Sequence, residues 1–393
     1  MRRAELASQL QELERAGLVR RRRGVQGPQG PLLRADGAEF LAFASNDYLG
    51  LASHPAIATA ARAALDRFGV GAGASGLVCG HTVLHEELEA RLARFVDLPR
   101  ALHFSTGYMA NLGVIPALVG RGDAVFSDRL NHASVIDAAR LSRAEVRVYP
   151  HLDLEELDHQ LGESTHASKL VVTDAVFSMD GDLAPLPRLV ELAERHDAWL
   201  VVDDAHGFGV LGPDGRGSLA HWGVRSGRVV YVGTLGKAAG VFGAFAAGDA
   251  DVVAWLAQRA RTYMFTTASP PLLAAALLAA VDLIESESWR RRRLEDLIGR
   301  LRAGLAAGPL ALLPSPTPIQ PLIVGANEPA MRLMQGLSGD GIWVPAIRPP
   351  TVAPGTARLR ISLSASHTES DVDRLLESLM KHARSLVSSI PAP

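Results

Sequence analysis

From about residue 55 the chain alternates short apolar runs of strand length with longer stretches whose apolar residues recur at helical spacing. Strands and helices taking turns along a chain predict an α/β domain with a mostly parallel sheet. The predicted strands are Ala101 to Ser105, Ala124 to Ser127, Val146 to Tyr149, Leu170 to Phe177, Trp199 to Asp203, Val229 to Gly233 and Gly243 to Ala247, which makes a seven-stranded sheet. Helical stretches such as Ala133 to Leu141 and Leu186 to His196 lie between them. From about Ser286 the pattern changes to a long arginine-rich helix, strands near Pro318 to Val324, Trp343 to Ile347 and Arg358 to Ser362, and a last helix from Thr368 to about Leu386. The expected division is a helix and a Gly/Pro-rich arm over 1–45, a large α/β domain over 46–285 and a smaller α+β domain over 286–393.

With 393 residues, 48% of them hydrophobic and 21% charged, the chain is long enough for two domains with cores of their own. The richest apolar stretch, Pro270 to Val281, is too short to span a membrane. Met1-Arg2-Arg3 is followed by Glu5, Gln9, Glu12 and Glu14 and not by an apolar core, so no secretory signal is expected and the cytoplasm is the expected location. The one cysteine, Cys79, excludes an internal disulfide and a cysteine-based metal cluster. At a formal charge of −2, the runs Arg20 to Arg23 and Arg290 to Arg293 are local features, the second expected as a solvated face. Neither run has interleaved aromatics, so no nucleic-acid partner is expected. Of 40 lysines and arginines only Lys169, Lys237 and Lys381 are lysine. Where arginine fills nearly every cationic role, a retained lysine points to chemistry that needs a removable proton.

Ligands in open α/β sheets sit beyond the carboxyl ends of the strands, and there the sequence places a consistent polar set. One strand runs into Asp203-Asp204-Ala205-His206-Gly207, another into Ser178-Met179-Asp180-Gly181, and a third into Thr234-Leu235-Gly236-Lys237. Ser105-Thr106-Gly107-Tyr108 and Asn131-His132-Ala133-Ser134 each follow a strand and open a helix, whose free N–H groups suit a phosphate. Pyridoxal phosphate accounts for these residues together. Lys237 would form its Schiff base and Asp203 would pair with the ring nitrogen. His206 with Ser178 would serve the phenolic oxygen, and Gly107, Tyr108 and Thr234 the phosphate.

Three rival motifs fail on context. Gly71 to Gly76 reads GxGxxG but follows a helical pattern, where a dinucleotide fingerprint must follow a strand. Gly236-Lys237 lacks both the first glycine of a P-loop, where Tyr231 stands, and its Ser/Thr, where Ala238 stands. Asp203, Asp204 and His206 have no second ligand pair at metal-binding spacing, so no metal is expected.

Together with Ser45-Asn46-Asp47-Tyr48-Leu49-Gly50-Leu51, Val176 to Gly181 and Thr356-Ala357-Arg358-Leu359-Arg360, these motifs resemble the α-oxoamine synthases, a family of fold-type-I pyridoxal-phosphate transferases, over almost the whole chain. The resemblance implies decarboxylative joining of an amino acid to an acyl thioester. It also implies a homodimer with a shared active site, in which Thr266-Thr267-Ala268-Ser269 reaches the neighbouring cofactor's phosphate. Ala346 to Val352 and the arginine-rich arm are most similar to members that condense L-alanine with a pimeloyl thioester, of coenzyme A or acyl-carrier protein, in biotin biosynthesis; siblings use glycine or serine with other acyl groups. His132 would then stack on the cofactor ring, Asn46 and Arg348 would hold the amino-acid carboxylate, Thr351 would lie beside the substrate and Arg20 at the acyl carboxylate. Asp174 stands where many relatives carry Glu and receives no role.

Overall fold

The structure, a computed structural model, describes residues 3–15, 18–19, 22–306, 308 and 310–387. After a helix over Arg3–Arg15, the arm forms three strands, β1 (Val25–Gln26), β2 (Leu32–Ala35) and β3 (Ala38–Ala42). The seven expected strands follow as β4 (Arg100–Phe104), β5 (Ala124–Asp128), β6 (Glu145–Tyr149), β7 (Lys169–Asp174), β8 (Trp199–Asp203), β9 (Val229–Thr234) and β10 (Ala244–Gly248). They form one sheet in the order β4-β10-β9-β8-β7-β5-β6, in which only β10 runs antiparallel to its neighbours. The inner strands are apolar along most of their length because both faces are covered, while the edge strand β6 carries Glu145 and Arg147 and is largely exposed. Leu102, Val125, Val172 and Val201 pack under the helices Gly107–Leu118, Ala133–Ser142 and Ala250–Arg259. Phe126, Val171, Leu200 and Tyr231 meet the helices Val83–Phe95, Leu154–Glu163 and Leu186–Arg195 on the other face.

The helices start and face as their sequences dictate. Asp153 caps Leu154–Glu163 by accepting from the Glu156 N–H at 3.0 Å. Leu186–Arg195 buries Leu186, Leu189, Val190 and Ala193, the three-and-four spacing of one helix face. The apolar stretch at 270–281 is a core helix, Pro271–Ser286, which buries Ala274, Leu277, Val281 and Ile284. Truncating Leu277 to alanine there costs about 2–5 kcal/mol.

The C-terminal region contributes β11 (Ala311–Leu312), β12 (Ile319–Gly325), β13 (Ile342–Trp343), β14 (Ala346–Ile347) and β15 (Ala357–Ser362), with helices Trp289–Leu305, Asn327–Gly339 and Glu369–Val387. The sheet order here is β11-β12-β15-β14, while β13 leaves it to pair in parallel with β3. The single strand expected over Trp343 to Ile347 is therefore two, in two sheets.

Two further expectations are corrected. The strand that starts at Leu170 stops at Asp174: the Ala175 N–H makes the last ladder bond, to the Asp203 carbonyl, and Phe177 then closes a turn with Asp182. The second arginine run is solvated only in part: Arg292 is exposed, but Arg290 and Arg291 are buried, with Nη1 of Arg290 donating to the Leu49 carbonyl at 2.8 Å and Nη1 of Arg291 to that of Ile284 at 2.6 Å.

Candidate active site

Strands β5, β7, β8 and β9 end at Asp128, Asp174, Asp203 and Thr234, so one edge of the sheet carries a row of polar termini. Lys237 leaves β9 through a turn closed by the Gly240 N–H on the Lys237 carbonyl at 2.8 Å. Gly240 sits at φ +68°, and a Cβ there would strike the backbone of Leu51 and Ala52, so glycine alone fits this turn.

The Lys237 amine lies 2.9 Å from Nε2 of His206, and Nδ1 of His206 lies 2.7 Å from the Tyr48 hydroxyl. That hydroxyl donates to Oδ1 of Asn46 at 3.2 Å. Nδ1 of His206 is then the protonated nitrogen and Nε2 the acceptor facing Lys237. Removal from water, together with the cations of Lys237 and Arg360, holds the imidazole well below its ordinary range, so it stays neutral. Loss of water also brings the lysine down to about 8, against the opposing pull of Asp203 and Asp174.

Asp203 is buried and held from two sides. Its Oδ1 accepts from the Ala205 N–H at 3.0 Å and its Oδ2 from Nδ2 of Asn111 at 2.6 Å. The same amide donates to Ser134 Oγ at 2.9 Å, and Ser134 Oγ lies 2.8 Å from Nδ1 of the exposed His132. Two side chains, Asn111 and Ser134, thus connect the carboxylate to the imidazole, whose ring stays open to a ligand. Asp174, paired in register with Asp203, is buried, and desolvation plus the Asp203 charge raise its carboxyl well above the usual range. It accepts from the His132 N–H at 3.3 Å. Asp204 belongs to the scaffold: it takes the Ser218 N–H at 2.7 Å and the Tyr231 hydroxyl at 2.8 Å, and burial pushes its carboxyl up to about 6.

Thr106 caps Gly107–Leu118 by accepting from the Met109 N–H at 3.1 Å, which leaves the first N–H groups, at Gly107 and Tyr108, facing outward. A Cβ on Gly107 would lie 3.5 Å from Oγ1 of Thr234, so that hydroxyl stands beside the helix terminus. The Tyr108 side chain itself is exposed and hydrogen-bonded to Asp137. A helix N-terminus with an adjacent hydroxyl suits a phosphate. With an amine of lowered pKa, a buried carboxylate and a neutral imidazole beside it, the donor set fits pyridoxal phosphate. The other two lysines are engaged elsewhere, Lys169 on the His196 carbonyl at 3.0 Å and Lys381 on Asp340 at 2.7 Å.

On the substrate side the guanidinium that meets Asn46 is that of Arg360, whose Nη1 donates to Oδ1 at 3.1 Å. Arg360 also donates from Nε to the Ser178 carbonyl at 2.6 Å, and Arg358 binds Asp180 Oδ1 at 2.6 Å. Two buried arginines of β15 therefore fix the Ser178–Asp180 turn. Arg348 and Thr351 share a turn after β14, with the Thr351 N–H on the Arg348 carbonyl at 3.0 Å; Arg348 is half-buried and Thr351 exposed. Arg20 lies outside the described residues. Tyr48, Asn111 and Arg360 are the additions to the predicted set. Asn111 had a signal: it is the lone amide in an apolar helix, four residues after Gly107 and on the same face.

The class I and II aminotransferase family model matches residues 38–379. The chain is 60% identical to an 8-amino-7-oxononanoate synthase of Herminiimonas arsenicoxydans, covering 96% of this chain and 98% of the relative. It is also 60% identical to that of Azoarcus sp. (strain BH72), over 96% and 97%. Among solved structures, a serine palmitoyltransferase variant from S. paucimobilis with a bound PLP–myriocin aldimine superposes with a TM-score of 0.92 at 31% identity, covering 98% of each chain.

Proposed function

The chain belongs to the class I and II aminotransferase family and, within it, to the 8-amino-7-oxononanoate synthases, and from that we propose how its residues divide the work. The reaction joins L-alanine to the acyl carbon of a pimeloyl thioester, releasing carbon dioxide and the free thiol, and the cofactor is pyridoxal 5'-phosphate. Bound, the cofactor supplies a carbonyl that captures an amine and a ring that takes up the electron pair left at the α-carbon.

The observation that carries the residue assignment is Lys237, its amine 2.9 Å from a neutral His206 and its pKa brought to about 8. As the only lysine beyond the carboxyl ends of the strands it would hold the cofactor, and as a free amine it would take the α-proton. Asp203, kept in place by Asn111 and Ala205, faces the ring nitrogen and preserves its proton. His132 lies on the ring; His206 and Ser178 serve the phenolic oxygen; Gly107, Tyr108 and Thr234 hold the phosphate. Asn46, with Arg348 and Arg360 as cations, orients the alanine carboxylate, and Thr351 borders the acyl chain. Arg20 meets the distal carboxylate of the pimeloyl group, which is carried on coenzyme A or acyl-carrier protein. The protein acts in the cytoplasm as a homodimer in which Thr266 to Ser269 completes the neighbour's phosphate site; among the described residues no helix is long and apolar enough to cross a membrane.

Serine palmitoyltransferase activity is the second reading, favoured by the TM-score of 0.92 but at 31% identity against 60% to the alanine-using relatives. Thiol release with L-alanine, glycine or L-serine, each offered with pimeloyl, acetyl, succinyl or palmitoyl thioesters, decides it. The alanine and pimeloyl pair is expected to have the highest kcat/KM; a serine and palmitoyl pair that exceeds it overturns the assignment.

A further inference from the structure

The opposite edge of the large sheet, away from Lys237, holds a second cavity of about 580 Å³. That volume lies within the range of roughly 300–1,000 Å³ usual for small-molecule sites. Val96, Leu98, Leu219, Val224 and Val229 give it an apolar wall. Val229 opens β9, and Thr234 at the other end of that strand is roughly 16 Å away at strand rise, so the two sites are separate.

The charges at the cavity are unequal in their engagements. Arg225 is ion-paired with Asp97 at the rim. The Asp249 carboxylate caps the helix Ala250–Arg259, accepting from the Asp251 N–H at 2.9 Å. Arg216 has no such partner: among the described residues no side chain or carbonyl meets its guanidinium, and its Nε is buried without an acceptor. A buried donor left unpaired is costly, and the side chain that carries it lines a space large enough to admit an acceptor at the rest of the guanidinium.

The segment that carries Arg216 is rigid. Its N–H closes a turn on the Pro213 carbonyl at 3.1 Å, and Gly209 and Gly217 bind the Gly215 and Leu211 carbonyls at 2.8 Å each. The next residues are fastened to the buried Asp204 through Ser218. The backbone that carries the guanidinium is therefore held on both sides, so a ligand need not order it on binding.

We propose that this cavity binds a small monocarboxylic acid, its carboxylate on the Arg216 guanidinium and its hydrocarbon chain along the wall from Leu219 to Val229. A planar fork of donors matches a carboxylate. Asp97 and Asp249 at the same cavity disfavour a dianion such as a phosphate monoester, and the apolar wall requires a hydrocarbon body.

The test is calorimetric titration of octanoate into the cofactor-loaded protein, with octanamide as the uncharged probe. Arg216→Gln is the test variant and Arg225→Gln the control. Octanoate is expected to bind the wild type and the Arg225→Gln variant alike, and to bind Arg216→Gln about tenfold or more weakly, the loss for a charged hydrogen bond. Octanamide should show a similar deficit on the wild type, and Arg216→Gln should keep its activity with alanine and a pimeloyl thioester. Octanoate affinity unchanged by Arg216→Gln, binding seen only in competition with the pimeloyl thioester, or no saturable binding overturns the proposal. If Arg216→Gln does not fold, a crystal structure of the wild type with octanoate decides: the carboxylate lies on Arg216, or the proposal falls.

Discussion

At Lys237 removal from water disfavours the ammonium, the carboxylates of Asp203 and Asp174 favour it, and Arg360 opposes them, with the balance at about 8. Capture of pyridoxal phosphate by the apoprotein needs the free amine, so its rate should rise with pH and level off above about 8. Asp203→Asn removes a charge that raises the lysine, so the midpoint of that profile should move to lower pH. Turnover in the variant should fall roughly a hundredfold or more, because the ring-nitrogen proton loses its counter-charge. Stopped-flow capture across pH measures the first effect, and an unmoved midpoint would mean that Asp203 does not act on Lys237. The strand-end residues of this site are readable from sequence because the sheet edge collects whatever follows each strand. Tyr48, Asn111 and Arg360 are not, because their bonds to His206, Asp203 and Asn46 cross 158, 92 and 314 residues.

Among the elements, the seven strands of the large sheet are legible because most are apolar runs between turn residues, and the edge strand β6, Glu145–Tyr149, alternates polar and apolar residues instead. What escapes is pairing between distant segments. The two-residue β13 becomes a strand only by meeting β3, more than 300 residues earlier in the chain, and Arg290 and Arg291 look solvated until their partners, the carbonyls of Leu49 and Ile284, are placed. The turn after Lys237 shows the same dependence, since Gly240 faces Leu51 and Ala52 from a distant part of the chain. Gly240→Ala should therefore cost about 1–3 kcal/mol, from backbone strain at positive φ and the lost close approach. Thermal unfolding of the variant should show a lower Tm and weaker cofactor retention; a Tm equal to the wild type would mean that the turn relaxes without strain.

At the scale of the molecule, the residues around Thr266 to Ser269 suggest what covers them. Ala268 is bonded to the Ala74 carbonyl at 3.0 Å, and nearby in sequence Val70, Leu77, Val78 and Phe265 are large, apolar and exposed. Apolar side chains grouped in this way mark an interaction surface. Sedimentation should give a dimer throughout the concentrations at which the enzyme works, and a fully active monomer would contradict a shared site. The sequence changes pattern near Ser286, but the core does not divide there: Leu41, Leu277, Leu301 and Leu379 belong to one buried cluster. The assignment on which the mechanism rests is that of the covalent lysine. Borohydride reduction of the cofactor-loaded protein followed by peptide mapping should place the pyridoxyl label on Lys237 and leave Lys237→Ala unlabelled. Label on Lys169 or Lys381 would contradict it.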